Sequence, residues 1–305
     1  MRLLTRSDFD GLVSAVLLKE IGVMERWEFV HPTDLQNGRI QVTKNDVLVN
    51  VPFVPGCGLW FDHHSSEMER LNFNFPFEGA SRLAPSCARV IWDYYGGQES
   101  FPEHFPEMLR FVDKCDSANL TAEEIEHPTG WVLLSFIMDP RTGLGRYRDY
   151  RISNYQLMER MIEWCGSMNA EAILEQPDVK ERVERYFEQD VLFRKMLRER
   201  STVRGNVVVL DLRDQPEIYS GNRFVLYTMF PECNISIRVI WGREKGKVVF
   251  TCGHSIVNRT SKTDVGSLML RYGGGGHKKV GSCQAPQEQA DARLEKLVEH
   301  MNDDG

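Results

Sequence analysis

No apolar run in this sequence approaches the ~20 residues that a membrane-spanning helix requires. The opening residues MRLLTRSDFDG meet charge too soon for a signal peptide, so the expected setting is the cytoplasm, with no membrane partner. No CxxC pair is present either. The seven cysteines, at positions 57, 87, 115, 165, 233, 252 and 283, are scattered and odd in number. That spacing offers no thiolate metal site and no disulfide framework, and it reads as small apolar fillers in a reducing compartment. Positive charge is in short supply: 37 Lys and Arg against 44 Asp and Glu give a formal charge of −7. Such a chain is poorly suited to broad binding of duplex nucleic acid, where affinity comes from neutralising phosphates. A short anionic ligand in a local basic pocket is compatible with it. Low-complexity tracts and internal repeats are absent as well.

The 305 residues, 42% hydrophobic and 27% charged, describe an ordinary globular chain with length enough for two domains. Met1 to Arg6 is a brief apolar run ending in Ser7-Asp8-Phe9-Asp10-Gly11. Leu12, Val13, Val16, Leu17 and Ile21 then recur at helical spacing. Strand, acidic turn and helix make the opening unit of a parallel sheet. Trp27 to Val30 and Asp46 to Val51 add two strands, the second apolar on both faces, as a central parallel strand is. Cys57-Gly58-Leu59 leads another strand into Trp60-Phe61-Asp62-His63-His64-Ser65-Ser66. From Pro85 the pattern turns helical, through SCARVIWDYYGG, His104 to Ala118, Trp131 to Met138 and Tyr155 to Cys165. Asp178 to Arg200 is long, charged and without Gly or Pro, and reads as a connecting helix. Beyond it NVVVLDL, Ile235 to Trp241 and Val248 to Cys252 read as strands. Asn222 to Phe230, Thr263 to Tyr272 and Gln287 to Met301 read as helices.

Four stretches carry chemistry. One carboxylate and two imidazoles at a strand's carboxyl end, Asp62-His63-His64, suit a hard or borderline divalent cation. Asp8 and Asp10 point to the same side if their loop is extended, at the sheet edge where ligands sit in open α/β folds, although an aspartate there also caps helices. Asp116, in FVDKCDSAN, is expected where a helix breaks into a polar loop that frees it to reach a cleft. The run Gly273 to Gly276 allows positive φ and close backbone approach, and its amides are expected to form an anion-binding nest beside His277 and two lysines. Arg259 lies upstream in the same half. The arginine-bearing loop around residues 143 to 151 reads first as a solvated charged loop, and as an alternative as a patch for an anionic partner.

Together, SDFDG (7–11), FDHHSS (61–66), DKCDSAN (113–119) and YGGGGHKKVGSC (272–283) resemble the DHH phosphoesterase superfamily with a C-terminal DHHA1 domain. That group includes RecJ-type nucleases, nanoRNA and pAp phosphatases, cyclic-dinucleotide phosphodiesterases and, for the DHH half, family II pyrophosphatases. The resemblance implies an α/β fold. A parallel-sheet DHH domain would cover residues 1–177, a linking helix 178–204, and a smaller mixed α/β DHHA1 domain 205–305. Carried over position by position, Asp8, Asp10, His63 and Asp116 are the implied ligands of a Mn2+ (or Mg2+) centre. Asp62, His63 and His64 form the implied catalytic motif, with Asp62 supporting the site and His64 facing the substrate phosphate. Arg6, His64, Arg259, Gly273, Gly274, Gly275, Gly276 and His277 would hold the substrate, a small nucleotide or short oligonucleotide, between the domains. A homodimer is compatible with this reading.

The sequence departs from the family pattern in two respects. Arg6 and Leu4 stand where a histidine precedes the first aspartate, and Asn50 stands where an aspartate bridges two metals. Dications about 3.5–4 Å apart rely on anionic bridging, which a neutral amide supplies poorly. One tightly bound ion is therefore expected. The expected activity is metal-dependent hydrolysis of a phosphoester. The competing readings are a weakened or inactive relative that binds a phosphorylated ligand, and a polyphosphate or pyrophosphate hydrolase.

Overall fold

A computed structural model describes residues 1–64, 76–242 and 246–305. Ser65 and Ser66 of the histidine motif lie outside the described residues. The chain divides into two units, Met1–Asn119 with Pro128–Tyr186, and Leu120–His127 with Phe187–Gly305.

The first unit is built on a parallel five-stranded sheet. Its strands are β1 (Arg2–Thr5), β2 (Arg26–Phe29), β3 (Asp46–Val49), β4 (Leu59–Asp62) and β5 (Gly79–Ser81), in the order β2-β1-β3-β4-β5. The middle strand DVLV is buried at every position, which its apolar character on both faces required. Alternate side chains serve two cores. Leu3, Val47, Val49 and Phe61 meet the helices Phe9–Glu20, Cys87–Tyr94, Phe105–Asp116, Gly130–Met138 and Asn154–Ser167. Leu4, Leu48 and Trp60 point the other way, into a smaller cluster with Val30, Leu35, Val51 and Phe53. Fully buried Trp60 also satisfies its indole N–H on the Val51 carbonyl at 3.0 Å, so Trp60→Ala would cost about 3–5 kcal/mol.

Because the strands are parallel, their carboxyl ends share one edge. Residues following β1, β3 and β4 all emerge there. The expected extended loop for Asp8 and Asp10 is replaced by something tighter: the helix begins at Phe9, Asp8 is its N-cap and Asp10 lies in its first turn. The capping carboxylate satisfies a helix amide, which an extended loop would leave unmet. Gly11 makes this sharp entry possible. A Cβ there would stand 2.2 Å from the Arg6 carbonyl oxygen and 2.7 Å from Thr5 Oγ1.

The second unit holds a mixed six-stranded sheet: β6 (Ser201–Arg204), β7 (Val207–Asp211), β8 (Ile235–Trp241), β9 (Lys247–His254), β10 (Gly275–His277) and β11 (Val280–Pro286). The order is β10-β11-β9-β8-β7-β6, and only the β7–β8 pairing is parallel. One face of β7, β8, β9 and β11 packs on the helices Val265–Leu270 and Ala290–Asp304, through residues such as Ile237, Phe250, Met269 and Leu297. The helices expected at Asn222–Phe230 and Thr263–Tyr272 are shorter, Val225–Met229 and Val265–Leu270, and Asp264 caps the second by accepting from the Ser267 N–H at 3.0 Å. The Pro177–Arg200 helix runs unbroken from the first unit into the second.

The first two amides of the glycine run are not open to an anion. Gly273 and Gly274 give their N–H groups to Leu270 and Met269 carbonyls, each at 3.0 Å, closing the preceding helix rather than forming an anion nest. Gly275 to His277 then enter the sheet as an edge strand. Gly273 has φ +73°, while a Cβ on Gly274 would stand 2.0 Å from the Ser282 carbonyl oxygen. Gly275 has neither a positive φ nor a close neighbour.

Candidate metal centre

The three groups that converge are Asp10, His63 and Asp116, whose ligating atoms all lie within 4.8 Å of one another. Each comes from a different element. Asp10 stands in the first turn after β1, His63 directly after β4, and Asp116 is the last residue of the Phe105–Asp116 helix. That helix ends at Ser117, and Ala118 takes a left-handed φ of +53°, so Asp116 sits at a break, on the helix side of it.

Main-chain groups fix the geometry. Asp10 is buried and accepts the Cys87 N–H at 2.9 Å and the Ala88 N–H at 2.8 Å, the first amides of the Cys87–Tyr94 helix. Ser86 caps that helix, and Asp113 holds both Ser86 Oγ, at 2.6 Å, and the Arg89 guanidinium, at 2.6 and 2.9 Å. Asp113 thereby ties the helix that cradles Asp10 to the helix that carries Asp116. Ser86 before an apolar helical run was the legible signal for this cap.

His63 donates from Nδ1 to the Ala84 carbonyl at 3.2 Å, since a carbonyl only accepts. In the neutral ring the lone pair is then on Nε2, 3.6 Å from Asp10 Oδ2 and 3.3 Å from Asp116 Oδ2. Nε2 is buried without a hydrogen-bond partner. A lone pair facing two carboxylates is repulsive unless a proton or a cation intervenes. The protonation tendencies carry the same strain. Burial pushes the Asp10 carboxyl up to about 6, against the pull of His63, and the Asp8 charge adds to the rise. Desolvation and then Asp10 raise Asp116, whose side chain keeps 28% exposure. Burial opposes protonation of His63, but Asp10 and Asp116 outweigh it and its pKa rises. Two carboxylates and an imidazole form a donor set that fits a divalent cation of the manganese or magnesium type.

Asp8 stands outside this trio. Its Oδ1 accepts the Gly11 N–H at 3.0 Å and Asn50 Nδ2 at 3.2 Å, and its Oδ2 pairs with Arg6 Nε at 3.0 Å. Asn50 is buried with φ +56°, in the left-handed region that asparagine tolerates better than most residues. The two departures in sequence thus meet on one carboxylate. Asp62, buried, accepts both the backbone N–H of His64 and its Nδ1, each at 3.0 Å, and so orients the second imidazole.

In the second unit Arg259 donates from Nε to the Ile256 carbonyl at 2.9 Å, and His277 is exposed on the β10 edge. A basic group that the sequence reading passed over is Arg238, in the middle of β8. Burial lowers its pKa, and its Nε is buried without a hydrogen-bond partner. Nothing in ISIRVIW distinguishes it from an ordinary outward-facing strand arginine.

Comparison with solved structures gives a full-length match to the pGpG-specific phosphodiesterase PggH of Vibrio cholerae. The two are 47% identical over 100% of this chain and 99% of that one, with a TM-score of 0.86. The chain belongs to the DHH/DHHA1 phosphoesterase superfamily. The parallel-sheet DHH domain and the mixed-sheet DHHA1 domain are therefore as the sequence resemblance implied. Likeness of fold extends to an exopolyphosphatase-related protein of Bacteroides fragilis, 13% identical over 99% of this chain and 92% of that one, TM-score 0.53. It extends also to RecJ of Thermus thermophilus in complex with Mn2+, 13% identical over 98% of this chain and 52% of that one, TM-score 0.52. No family model matches the DHH/DHHA1 chain, and no curated protein does.

Proposed function

We propose that this protein is a divalent-metal-dependent phosphodiesterase that hydrolyses the linear dinucleotide pGpG to two molecules of GMP. Identity of 47% along the whole length to a pGpG-specific enzyme supports the substrate, and the convergence of Asp10, His63 and Asp116 supports the chemistry. Water attacks the bridging phosphorus, the bond to the 3′-oxygen breaks, and that oxygen leaves with a proton.

Asp10, His63 and Asp116 would hold one ion, Mn2+ or Mg2+. When bound, such an ion supplies Lewis-acid polarisation of the phosphoryl group and of the attacking water. The rest falls to side chains. Asp62 keeps the Nδ1 proton of His64 in place, leaving Nε2 to bind a phosphoryl oxygen or to pass a proton to the leaving group. Asp8 fixes the Arg6 guanidinium, which offers permanent positive charge where charge grows on phosphorus. That pairing makes Asp8 an organiser of Arg6 when one ion is present, and a ligand only if a second is taken up. In the DHHA1 domain we assign Arg259, Arg238 and the segment Gly273 to His277, with Gly274 to Gly276 shaping the hairpin, to substrate binding. Among the described residues no helix is long and apolar enough to cross a membrane, and we place the enzyme in the cytoplasm.

Turnover on a panel of pGpG, longer oligonucleotides, pyrophosphate and polyphosphate tests this reading. GMP release from pGpG well above all other substrates is expected. Equal or faster release of phosphate from polyphosphate or pyrophosphate would move the assignment to the inorganic branch, and no turnover on any substrate would leave a binding protein.

A further inference from the structure

Asn50 carries one oxygen that the fold leaves without a partner. The residue follows β3, the middle strand of the parallel sheet. It therefore stands between the strand that leads to Asp8 and Asp10 and the strand that ends in Asp62. Its backbone N–H donates to the Phe61 carbonyl at 3.1 Å. Cys87 Sγ meets that same carbonyl at 3.2 Å, while the Cys87 N–H holds Asp10 Oδ2 at 2.9 Å. Asn50 is thus one shared carbonyl away from the residue that fixes Asp10, and the carbonyl belongs to the residue before Asp62. Its Nδ2 is spent on Asp8 Oδ1 at 3.2 Å. A carboxylate only accepts, so the amide cannot be turned over, and Oδ1 is the end directed away from Asp8. That oxygen is buried with no hydrogen-bond partner, on a residue only 2% exposed. A buried acceptor is costly unless something donates to it. The backbone is also held at φ +56°, a conformation that non-glycine residues adopt mainly where function requires it.

We propose that Asn50 Oδ1 positions the water that attacks phosphorus, accepting one of its two hydrogens. The inference rests on the phosphodiesterase reading above. With one hydrogen held, the attacking lone pair has a fixed direction, which is how a neutral side-chain amide serves phosphoryl transfer to water. As the new phosphorus–oxygen bond forms, the second hydrogen leaves as a proton. The 3′-oxygen takes up a proton as its own bond to phosphorus breaks. The hydrogen held by Asn50 stays on the oxygen that enters GMP, so pGpG and one water give two GMP with no net proton change. An amide is too weak a base to take the proton itself. Its loss should therefore slow the chemical step without weakening substrate binding. Asparagine at this position keeps a carbonyl oxygen for the water and gives its other end to Asp8, which an aspartate could not do.

Competition between methanol and water as nucleophile tests this on the full chain. Methanol has a single hydroxyl hydrogen, which leaves on attack, so nothing remains for Asn50 to hold. Its attack yields guanosine 5′-methyl phosphate in place of one GMP, and the share of that ester is read by chromatography. Asn50→Asp keeps the size and an acceptor oxygen, Asn50→Leu keeps the size without an acceptor, and Asn50→Gly lacks the acceptor but suits the positive φ. All three lose the donor to Asp8, so an effect carried through Asp8 and Arg6 is common to them. The parent and Asn50→Asp are expected to prefer water alike. Asn50→Leu and Asn50→Gly should lose about tenfold of that preference, with kcat lower by about 10- to 100-fold at little-changed KM. Their manganese content after dialysis should equal that of the parent. The product ratio does not depend on how much of a variant is folded. Four results would overturn the inference and leave the phosphodiesterase reading standing: a ratio unchanged in Asn50→Leu, a ratio unchanged in Asn50→Gly, a ratio in Asn50→Asp equal to that in Asn50→Leu, or loss of the ion from Asn50→Gly. A parent that does not hydrolyse pGpG would overturn both.

Discussion

His63 and Asp116 face each other with Nε2 and Oδ2 3.3 Å apart, while the other ring nitrogen of His63 is committed to the Ala84 carbonyl. The imidazole therefore has one productive use for its buried nitrogen, and the neighbouring carboxylates define what fills the gap. His63→Ala removes the central donor. It is expected to leave the fold in place, to lose the ion on dialysis and to lower turnover at least about a hundredfold. Elemental analysis of the dialysed parent should give close to one manganese-class ion per chain. Two tight equivalents in the parent would contradict the arrangement around Asp8.

Asn50 and Arg6 explain why one ion is expected. Asn50→Asp turns a hydrogen bond to Asp8 into a carboxylate facing a carboxylate. Without metal that variant should be less stable than the parent. With Arg6→His added, the fixed positive charge is gone and an imidazole gained, and manganese titration should show a second site. A double variant that still binds one ion would show that Arg6 and Asn50 are not what excludes the second.

Stability should depend on pH through Arg2 and Asp46, which pair across β1 and β3 at 2.7 Å. Burial works against ionisation of Asp46, but hydrogen bonds from Arg2 and Thr43 outweigh it and hold the carboxyl below the usual range. A depressed carboxyl contributes stability that is full above its unfolded pKa of about 3.9 and is lost as pH falls through the lower folded value. Asp46→Asn should cost about 1–3 kcal/mol at neutral pH, and the difference in Tm between parent and variant should shrink below about pH 4. A constant difference from pH 7 to pH 3 would contradict the assignment.

The glycines of the hairpin are expected to separate. Gly275→Ala meets open space at ordinary φ and should change stability by less than about 0.5 kcal/mol. Gly274→Ala drives a Cβ to 2.0 Å from a backbone oxygen and should lower Tm sharply. Thermal melts of the two variants side by side decide this.

Much of this molecule was legible in its residues. Ile235 to Trp241 reads as a strand because β-branched residues alternate without a breaker, and the observed bounds of β8 are the same. DVLVNV announced a central strand by being apolar on both faces. The residue types of the trio were legible, two beside strand ends and one at a helix break. What holds the trio was not. The Cys87 and Ala88 amides and the Ala84 carbonyl are main-chain groups that every sequence possesses, and only the fold aims them at Asp10 and His63. The glycine run misled for a related reason. Two of its four amides, those of Gly273 and Gly274, are claimed here by the carbonyls of the preceding helix, a competition that depends on where that helix ends. VGSCQAP does not read as a strand from its residues, because its outward positions are Val, Ser, Gln and Pro and its inward ones are small; pairing with β9 makes it one.

The most direct test is pGpG hydrolysis followed through removal and return of the metal. Protein stripped with a chelator should release no GMP from pGpG, and Mn2+ added back to one equivalent per chain should restore turnover in the parent but not in His63→Ala or Asp116→Asn. Full activity in the stripped protein, or in either variant, would contradict a metal centre built from Asp10, His63 and Asp116.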